Sequence, residues 1–225
     1  VANAARREAE QARTAAETAN KAKTDFLFSM SHDIRTPMNA IIGFSDIIRK
    51  HVNDPEAVLQ YLDKLQSANS FLLSLINNVL EMARIESGKE RLDEIPMNIH
   101  DSCDGLRSIF ENRFRDKSIT FDLQINVQHA DIWGDSTKIR EVYLNLLSNA
   151  EKYTPVGGHV QMRVNELPSE SEDIVIYKTI LEDNGIGMSK AFLPTLFEPF
   201  TREKNSTDSR VIGTGLGMPI VKRLV

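Results

Sequence analysis

Residues 26–40 read FLFSMSHDIRTPMNA. His32, Asp33, Arg35 and Thr36 crowd together, Pro37 follows, and the flanking residues suit a helix. The apolar positions Leu27, Met30, Ile34, Pro37, Ile41, Phe44 and Ile48 alternate spacings of three and four, the pattern of a heptad seam. With Leu27 and Met30 in the a and d positions, His32 falls at f, directed away from the bundle core. Thr36 lies one turn further along that face, Asp33 flanks the ring, and Arg35 sits to the side. A carboxylate that accepts one imidazole N–H fixes the tautomer, raises the ring's basicity and leaves the other nitrogen nucleophilic. Asp33 is the candidate for that role. Pro37 removes an N–H donor and is expected to bend the helix just beyond the cluster.

Upstream, residues 1–25 are rich in Ala, Glu, Gln, Lys and Arg and lack Gly and Pro, which predicts a helical linker from a preceding module. Downstream, Asn53-Asp54-Pro55 reads as a turn and a new helix start. The second helix repeats the seam at Leu62, Leu65, Asn69, Leu72, Ile76, Val79 and Ala83. Leu59, Leu73, Leu75, Leu80 and Met82 widen its apolar stripe beyond what one partner helix needs. Such a hairpin is expected to pair with a second copy as a dimeric four-helix bundle. Gly88 and Pro96 close this region.

Beyond it the periodicity changes. Strands are predicted over 119–125, 130–133, 160–164 and 174–181, with an amphipathic helix over 137–153 and a final helix after the last glycines. Without a regular βαβ rhythm, this implies a layered α/β sandwich. A net charge of −5 without a dense Lys/Arg cluster argues against a nucleic-acid partner. The single cysteine, Cys103, excludes an internal disulfide framework. It and His51, His100, His129 and His159 lack metal-ligand spacing. No apolar run is long enough for a membrane span. Val1 has mid-helix character, so the chain is expected to be the interior of a longer protein; the lone cysteine fits a reducing, cytoplasmic portion, and any membrane anchoring is expected only through upstream parts.

A nucleophilic histidine needs a chemical partner elsewhere in the chain, and a nucleotide site would supply one. The chain has no P-loop and no GxGxxG opening a helix after a strand. Three other stretches suit a nucleotide. In REVYLNLLSNAEKYTP (140–155), Glu141, Asn145, Asn149 and Lys152 line one helix face, opposite Ile139, Val142, Tyr143, Leu146, Leu147 and Ala150. Oxygen ligands with a cation one turn on suit a magnesium-bound phosphate chain. In LEDNGIGM (181–188), Asp183 can accept from an exocyclic amine, while Gly185 and Gly187 admit a flat base. In IGTGLGMPIVK (212–222), Thr214 and the glycines precede a helix whose N–H groups can face phosphates. Residues 196–213 between them read as a lid hinged at Phe197 and Phe200.

HDIRTP resembles the phosphoacceptor box of the sensor histidine kinases of two-component systems. The other stretches, in this order, resemble the N, first glycine, phenylalanine and second glycine boxes of their ATP-binding domain. The resemblance runs from about residue 20 to Val225 and implies the following. A dimerisation and phosphotransfer hairpin (26–90) follows the linker (1–25) and joins a Bergerat-type (GHKL) α/β sandwich (91–225). Asn149 coordinates Mg2+ with help from Asn145, and Lys152 and Tyr153 meet ATP. Asp183 reads the adenine beside Gly185 and Gly187, and Arg202 reaches the terminal phosphate. Gly213, Thr214, Gly215, Leu216 and Gly217 hold the phosphates. His32, based by Asp33, is autophosphorylated and passes the group to an aspartate of a response-regulator receiver domain. Thr36 positions water when that partner is dephosphorylated. Gyrase- and Hsp90-type relatives carry a water-activating glutamate at the position of Asn145, and an amide cannot serve as that base. Family members continue into closing strands after the last helix, so a chain ending at KRLV is expected to lack part of its sheet. The competing expectation is a dimeric, nucleotide-binding scaffold with impaired catalysis.

Overall fold

The computed structural model describes residues 2–87, 92–203 and 214–225. They form two compact units, residues 1–80 and 81–225.

The first unit is a helical hairpin. Helix α1 spans Ala2–Lys50 without a break at residue 25, and it runs through a buried Pro37. The expected bend does not divide it. Pro37 lies on the inward face of the hairpin and cannot donate to the Asp33 carbonyl one turn back. The turn into α2 (Pro55–Glu86) is built locally. His51 N–H bonds the Ile47 carbonyl (3.0 Å), Asp54 N–H bonds the His51 carbonyl (2.9 Å), and Asp54 Oδ1 caps Ala57 N–H (3.1 Å). Pro55 then occupies the first helical position, where its lack of a donor does no harm.

Met30, Ile34, Pro37, Ile41, Phe44 and Ile48 turn inward as expected, while Leu27 remains exposed. Phe44 meets Tyr61 with ring centroids 6.0 Å apart. On α2 the inward stripe is Val58, Tyr61, Leu65, Ala68, Leu72, Leu75 and Val79. The expected seam is therefore corrected. Leu65, Leu72 and Val79 face inward, but Leu62, Asn69, Ile76 and Ala83 lie on the exposed side. Two apolar stripes adjoin on this helix, and α1 occupies only one. The other keeps Leu59, Leu62, Leu73, Ile76 and Leu80 in solvent.

The second unit is an α/β sandwich. After β1 (Ile95–Asn98) and α3 (Ile99–Asp116) come β2 (Thr120–Asn126), β3 (Asp131–Gly134), α4 (Ser136–Tyr153), β4 (His159–Leu167), β5 (Ile176–Asp183) and α5 (Gly217–Leu224). A 3-10 turn covers Leu193–Thr195. Strands β2, β4 and β5 form one sheet in that order. Strand β2 runs parallel to β4, with Thr120 opposite His159, and β4 runs antiparallel to β5, with Val160 opposite Asp183. A separate antiparallel pair joins β1 to β3.

The core follows from the two periodicities. Val160, Met162 and Val164 alternate inward on β4, against Ile99, Cys103, Leu106, Phe110 and Phe114 of α3 and Val142, Leu147 and Ala150 of α4. Tyr143 is buried too and bonds the Thr179 hydroxyl at 2.8 Å. Burial first, and the neighbouring Asp104 charge second, push the Cys103 thiol up to about 11, so it behaves as an apolar side chain. The predicted strands and helix appear within a few residues of their expected limits. Strand β1 and helix α3 carry no element in the sequence reading. Asn98 caps α3 by accepting from His100 and Asp101 N–H groups.

Candidate functional site

Two arrangements carry chemistry, one in each unit. On α1, the His32 side chain is 75% exposed and its Nδ1 lies 3.2 Å from Asp33 Oδ1. The Asp33 side chain is only 18% exposed, so the helix surface restrains it beside the ring. When Nδ1 carries the proton donated to that carboxylate, Nε2 keeps its lone pair and faces outward. Thr36 sits one turn on, exposed, its hydroxyl donating to the His32 carbonyl at 3.2 Å.

In the sandwich, the three predicted stretches converge on α4. Asp135 caps the start of this helix, accepting from Lys138 N–H (3.0 Å) and Asp93 N–H (3.0 Å). Burial opposes its charge, yet the backbone donors win and hold the Asp135 carboxyl below its ordinary range. Glu141, Asn145, Asn149 and Lys152 are half-buried along one face, as predicted. Asn145 Nδ2 donates to the Glu141 carbonyl at 3.0 Å, which fixes the direction of its amide.

The end of α4 meets the first glycine stretch. The Tyr153 carbonyl accepts Ile186 N–H at 3.2 Å, and Asp183 Oδ1 accepts Gly185 N–H at 2.9 Å. A Cβ at Gly185 would lie 2.7 Å from the Tyr153 carbonyl oxygen, so only glycine allows this approach. Gly187 takes φ +66°, the left-handed conformation that glycine adopts readily.

The last stretch closes against both others. Gly217, at the start of α5, packs so near Asn145 that a Cβ would stand 2.8 Å from its Oδ1. Gly215 (φ +68°) abuts Phe200 (φ +61°), whose N–H bonds the Gly215 carbonyl at 3.0 Å. Leu216 is fully buried, and its N–H bonds the Thr214 hydroxyl at 3.3 Å. Phe197 lies under Lys222, with Nζ 5.2 Å from the ring centre. Gly213 and lid residues 204–213 lie outside the described residues.

The electrostatics suit an anion. Burial first, then the Arg202 charge, hold the Lys152 ammonium below its ordinary range, while Lys152 Nζ stands 5.3 Å over the Tyr153 ring. Burial raises the Tyr153 phenol, with Arg202 acting the other way. Two cations that oppose each other at the end of α4, beside Gly185 and Gly187, fit a phosphate chain. Among the described residues no group of His, Cys, Asp and Glu could hold a metal by itself. The donors present are the amides Asn145 and Asn149, which fit Mg2+ arriving on phosphate oxygens.

Residues 22–88 match the model of the His Kinase A (phospho-acceptor) domain, and residues 134–225 match that of the histidine kinase-, DNA gyrase B-, and HSP90-like ATPase. The chain belongs to the sensor histidine kinases. Its fold is accordingly a histidine-kinase hairpin followed by a GHKL sandwich. This histidine-kinase core is 36% identical over 217 residues to hybrid signal transduction histidine kinase A of Dictyostelium discoideum, covering 94% of the chain and 10% of the relative. It is 33% identical over 225 residues to the autoinducer 2 sensor kinase/phosphatase LuxQ of Vibrio vulnificus, covering 99% of the chain and 25% of LuxQ. Full-length ShkA in complex with AMPPNP is similar in structure, with TM-score 0.62 and 26% identity over 89% of the chain and 40% of ShkA. The chain thus spans a quarter or less of the two curated relatives described. No helix among the described residues is long and apolar enough to cross a membrane.

Sequence reasoning missed two residues that brace the ends of β5 and α4. Asn184 Oδ1 accepts His159 N–H at 2.7 Å, and Lys117 Nζ bonds the Glu151 carbonyl at 2.6 Å. Each joins positions far apart in the chain, so no local pattern announces it.

Proposed function

We propose that this core transfers the γ-phosphoryl group of ATP to Nε2 of His32, then passes it to an aspartate of a response-regulator receiver domain. The His32–Asp33 pair carries the reading, because an exposed imidazole with a fixed tautomer is a ready nucleophile. Nε2 attacks the γ-phosphorus while the bond to the β–γ bridging oxygen breaks and ADP leaves with the electron pair. Asp33 stabilises the positive charge that develops on the ring. Asn149 and Asn145 hold Mg2+, which when bound neutralises the phosphate oxygens. Lys152, Tyr153 and Arg202 face the phosphates. Asp183 accepts from the adenine amine beside Gly185 and Gly187. Thr214, Gly215, Leu216 and Gly217 enclose the phosphate chain. The amide at Asn145 supplies no base for water, which favours transfer over hydrolysis. The ATPase-type match and the nucleotide complex of ShkA support ATP as the donor.

Thr36 orients water when the kinase dephosphorylates its partner, an activity consistent with the kinase/phosphatase name of LuxQ. The exposed stripe of α2 supports a homodimer, with residues 1–25 as linker, 26–90 as the phosphoacceptor domain and 91–225 as the ATP-binding domain. Membrane attachment of this cytoplasmic portion would come only through upstream parts.

The test is incubation with radiolabelled ATP and magnesium, followed by acid and base treatment. Label lost in acid and kept in base, and absent from His32→Ala, is the expected result. AMPPNP binding without any label would instead establish the nucleotide-binding scaffold.

A further inference from the structure

We infer that Lys117 is a positioning residue for the proposed nucleotide site, holding the last turn of α4 by its carbonyl oxygens. The inference rests on the ATP reading above. A helix ends with carbonyls that lack an internal partner. In α4 the Lys117 ammonium meets two of them, with Nζ 2.6 Å from the Glu151 oxygen and 3.4 Å from the Lys152 oxygen. Its charge also complements the negative helix end. The next carbonyl, that of Tyr153, takes Ile186 N–H at 3.2 Å. Three consecutive peptide planes are thereby oriented from outside the helix, and they carry the Lys152 and Tyr153 side chains.

Lys117 is itself firmly mounted. It caps α3, and its N–H bonds the Phe114 carbonyl at 3.1 Å. Ser118 takes φ +54°, and buried Ile119 returns its N–H to the same carbonyl at 2.8 Å. Thr120 N–H then bonds the Gly158 carbonyl at 2.9 Å, tying the start of β2 to the turn that follows α4. The lysine stem is therefore anchored on both sides. Burial and the Arg202 charge both act against the Lys152 ammonium in this turn. Arg113 reaches the same helix end differently. It pairs with the Glu151 carboxylate at 2.5 Å.

The test compares Lys117→Met, Lys117→Arg and Arg113→Met in the full chain, reading AMPPNP affinity, KM for ATP, kcat of His32 labelling and melting temperature. Lys117→Met is expected to raise the AMPPNP Kd and the KM by about tenfold, with saturated kcat within about twofold. Lys117→Arg should restore most of the affinity. Arg113→Met should lower the melting temperature and leave affinity unchanged. Unchanged affinity in Lys117→Met overturns the inference. So does an equal affinity loss in Arg113→Met, because the effect would then be stability alone. A wild-type chain that binds no AMPPNP would overturn the nucleotide reading itself, and this inference with it.

Discussion

The Nδ1 of His32 lies 3.2 Å from Asp33 Oδ1, between adjacent residues of one helix, with the imidazole exposed and the carboxylate largely covered. The imidazole and its neighbouring carboxylate therefore travel together on one helix. Asp33→Asn should slow His32 phosphorylation by about a hundredfold while AMPPNP affinity stays as in the wild type. Single-turnover labelling at saturating ATP checks this. A rate within about threefold of wild type would remove Asp33 from the reaction.

The glycines of the cleft differ in what surrounds them. At Gly185 an added Cβ meets the Tyr153 backbone, whereas at Gly217 it meets the end of the Asn145 side chain. Backbone yields less readily than an amide that can turn. Gly185→Ala should weaken AMPPNP binding by more than about tenfold, and Gly217→Ala by less. Calorimetric titration of both variants gives the order directly, and the reverse order would refute this reading of the cleft.

Glu166 gathers the connection between β2 and β3. Its carboxylate accepts Gln128 N–H (2.7 Å) and His129 N–H (2.9 Å), and it meets His129 Nδ1 at 2.7 Å. The His129 backbone and side-chain hydrogen bonds lower its folded-state pKa to about 2, from 4.5. Because the folded value is depressed, the stabilisation is fully present above the unfolded value. It fades as pH falls from about 4.5 towards 2. Glu166→Gln should melt lower than wild type at neutral pH, with the two curves converging on acidification. Melting temperatures recorded across that window decide it, and a gap that stays constant with pH would count against the linkage.

If the exposed stripe forms the homodimer seam proposed above, the two stripes of α2 separate folding from assembly. Leu75 is completely buried within the hairpin unit, so Leu75→Ala should destabilise that unit by about 2–5 kcal/mol in denaturant unfolding. Leu62 and Ile76 are 44% and 40% exposed, and glutamate there disturbs no inward packing. The double substitution Leu62→Glu with Ile76→Glu should give monomers by sedimentation, with hairpin helicity retained. A dimer that survived it would place the interface elsewhere.

The phosphoacceptor helix was legible in the sequence because its seam and its polar cluster share a single helix and need no distant partner. The α4 stripe was legible for the same reason. The second seam was displaced because α2 is apolar on two adjoining faces, and periodicity alone does not tell which faces the intramolecular partner. Helix α3 escaped notice even though Ile99, Cys103, Leu106, Phe110 and Phe114 are all buried on it. Charged residues fill the positions between them, and a cysteine stands where an aliphatic residue would mark the stripe. The glycines mark places where backbone comes close to other groups. Which backbone each one approaches depends on residues far away, such as Phe200 behind Gly215. Lys117 was hidden more deeply, since its partners are carbonyl oxygens, which every residue possesses.

The uninterrupted α1 has a mechanical consequence. A 49-residue helix at about 1.5 Å per residue is a shaft of roughly 74 Å, and each residue advances it by about 100°. Any element attached ahead of it is in fixed angular phase with His32, because no joint occurs at residue 25. One residue inserted before Leu27 would turn that phase by about 100°, whereas seven would return it to within about 20°. Torsion applied at one end is thus delivered at the histidine as a change of bearing, with the ring's own chemistry left untouched.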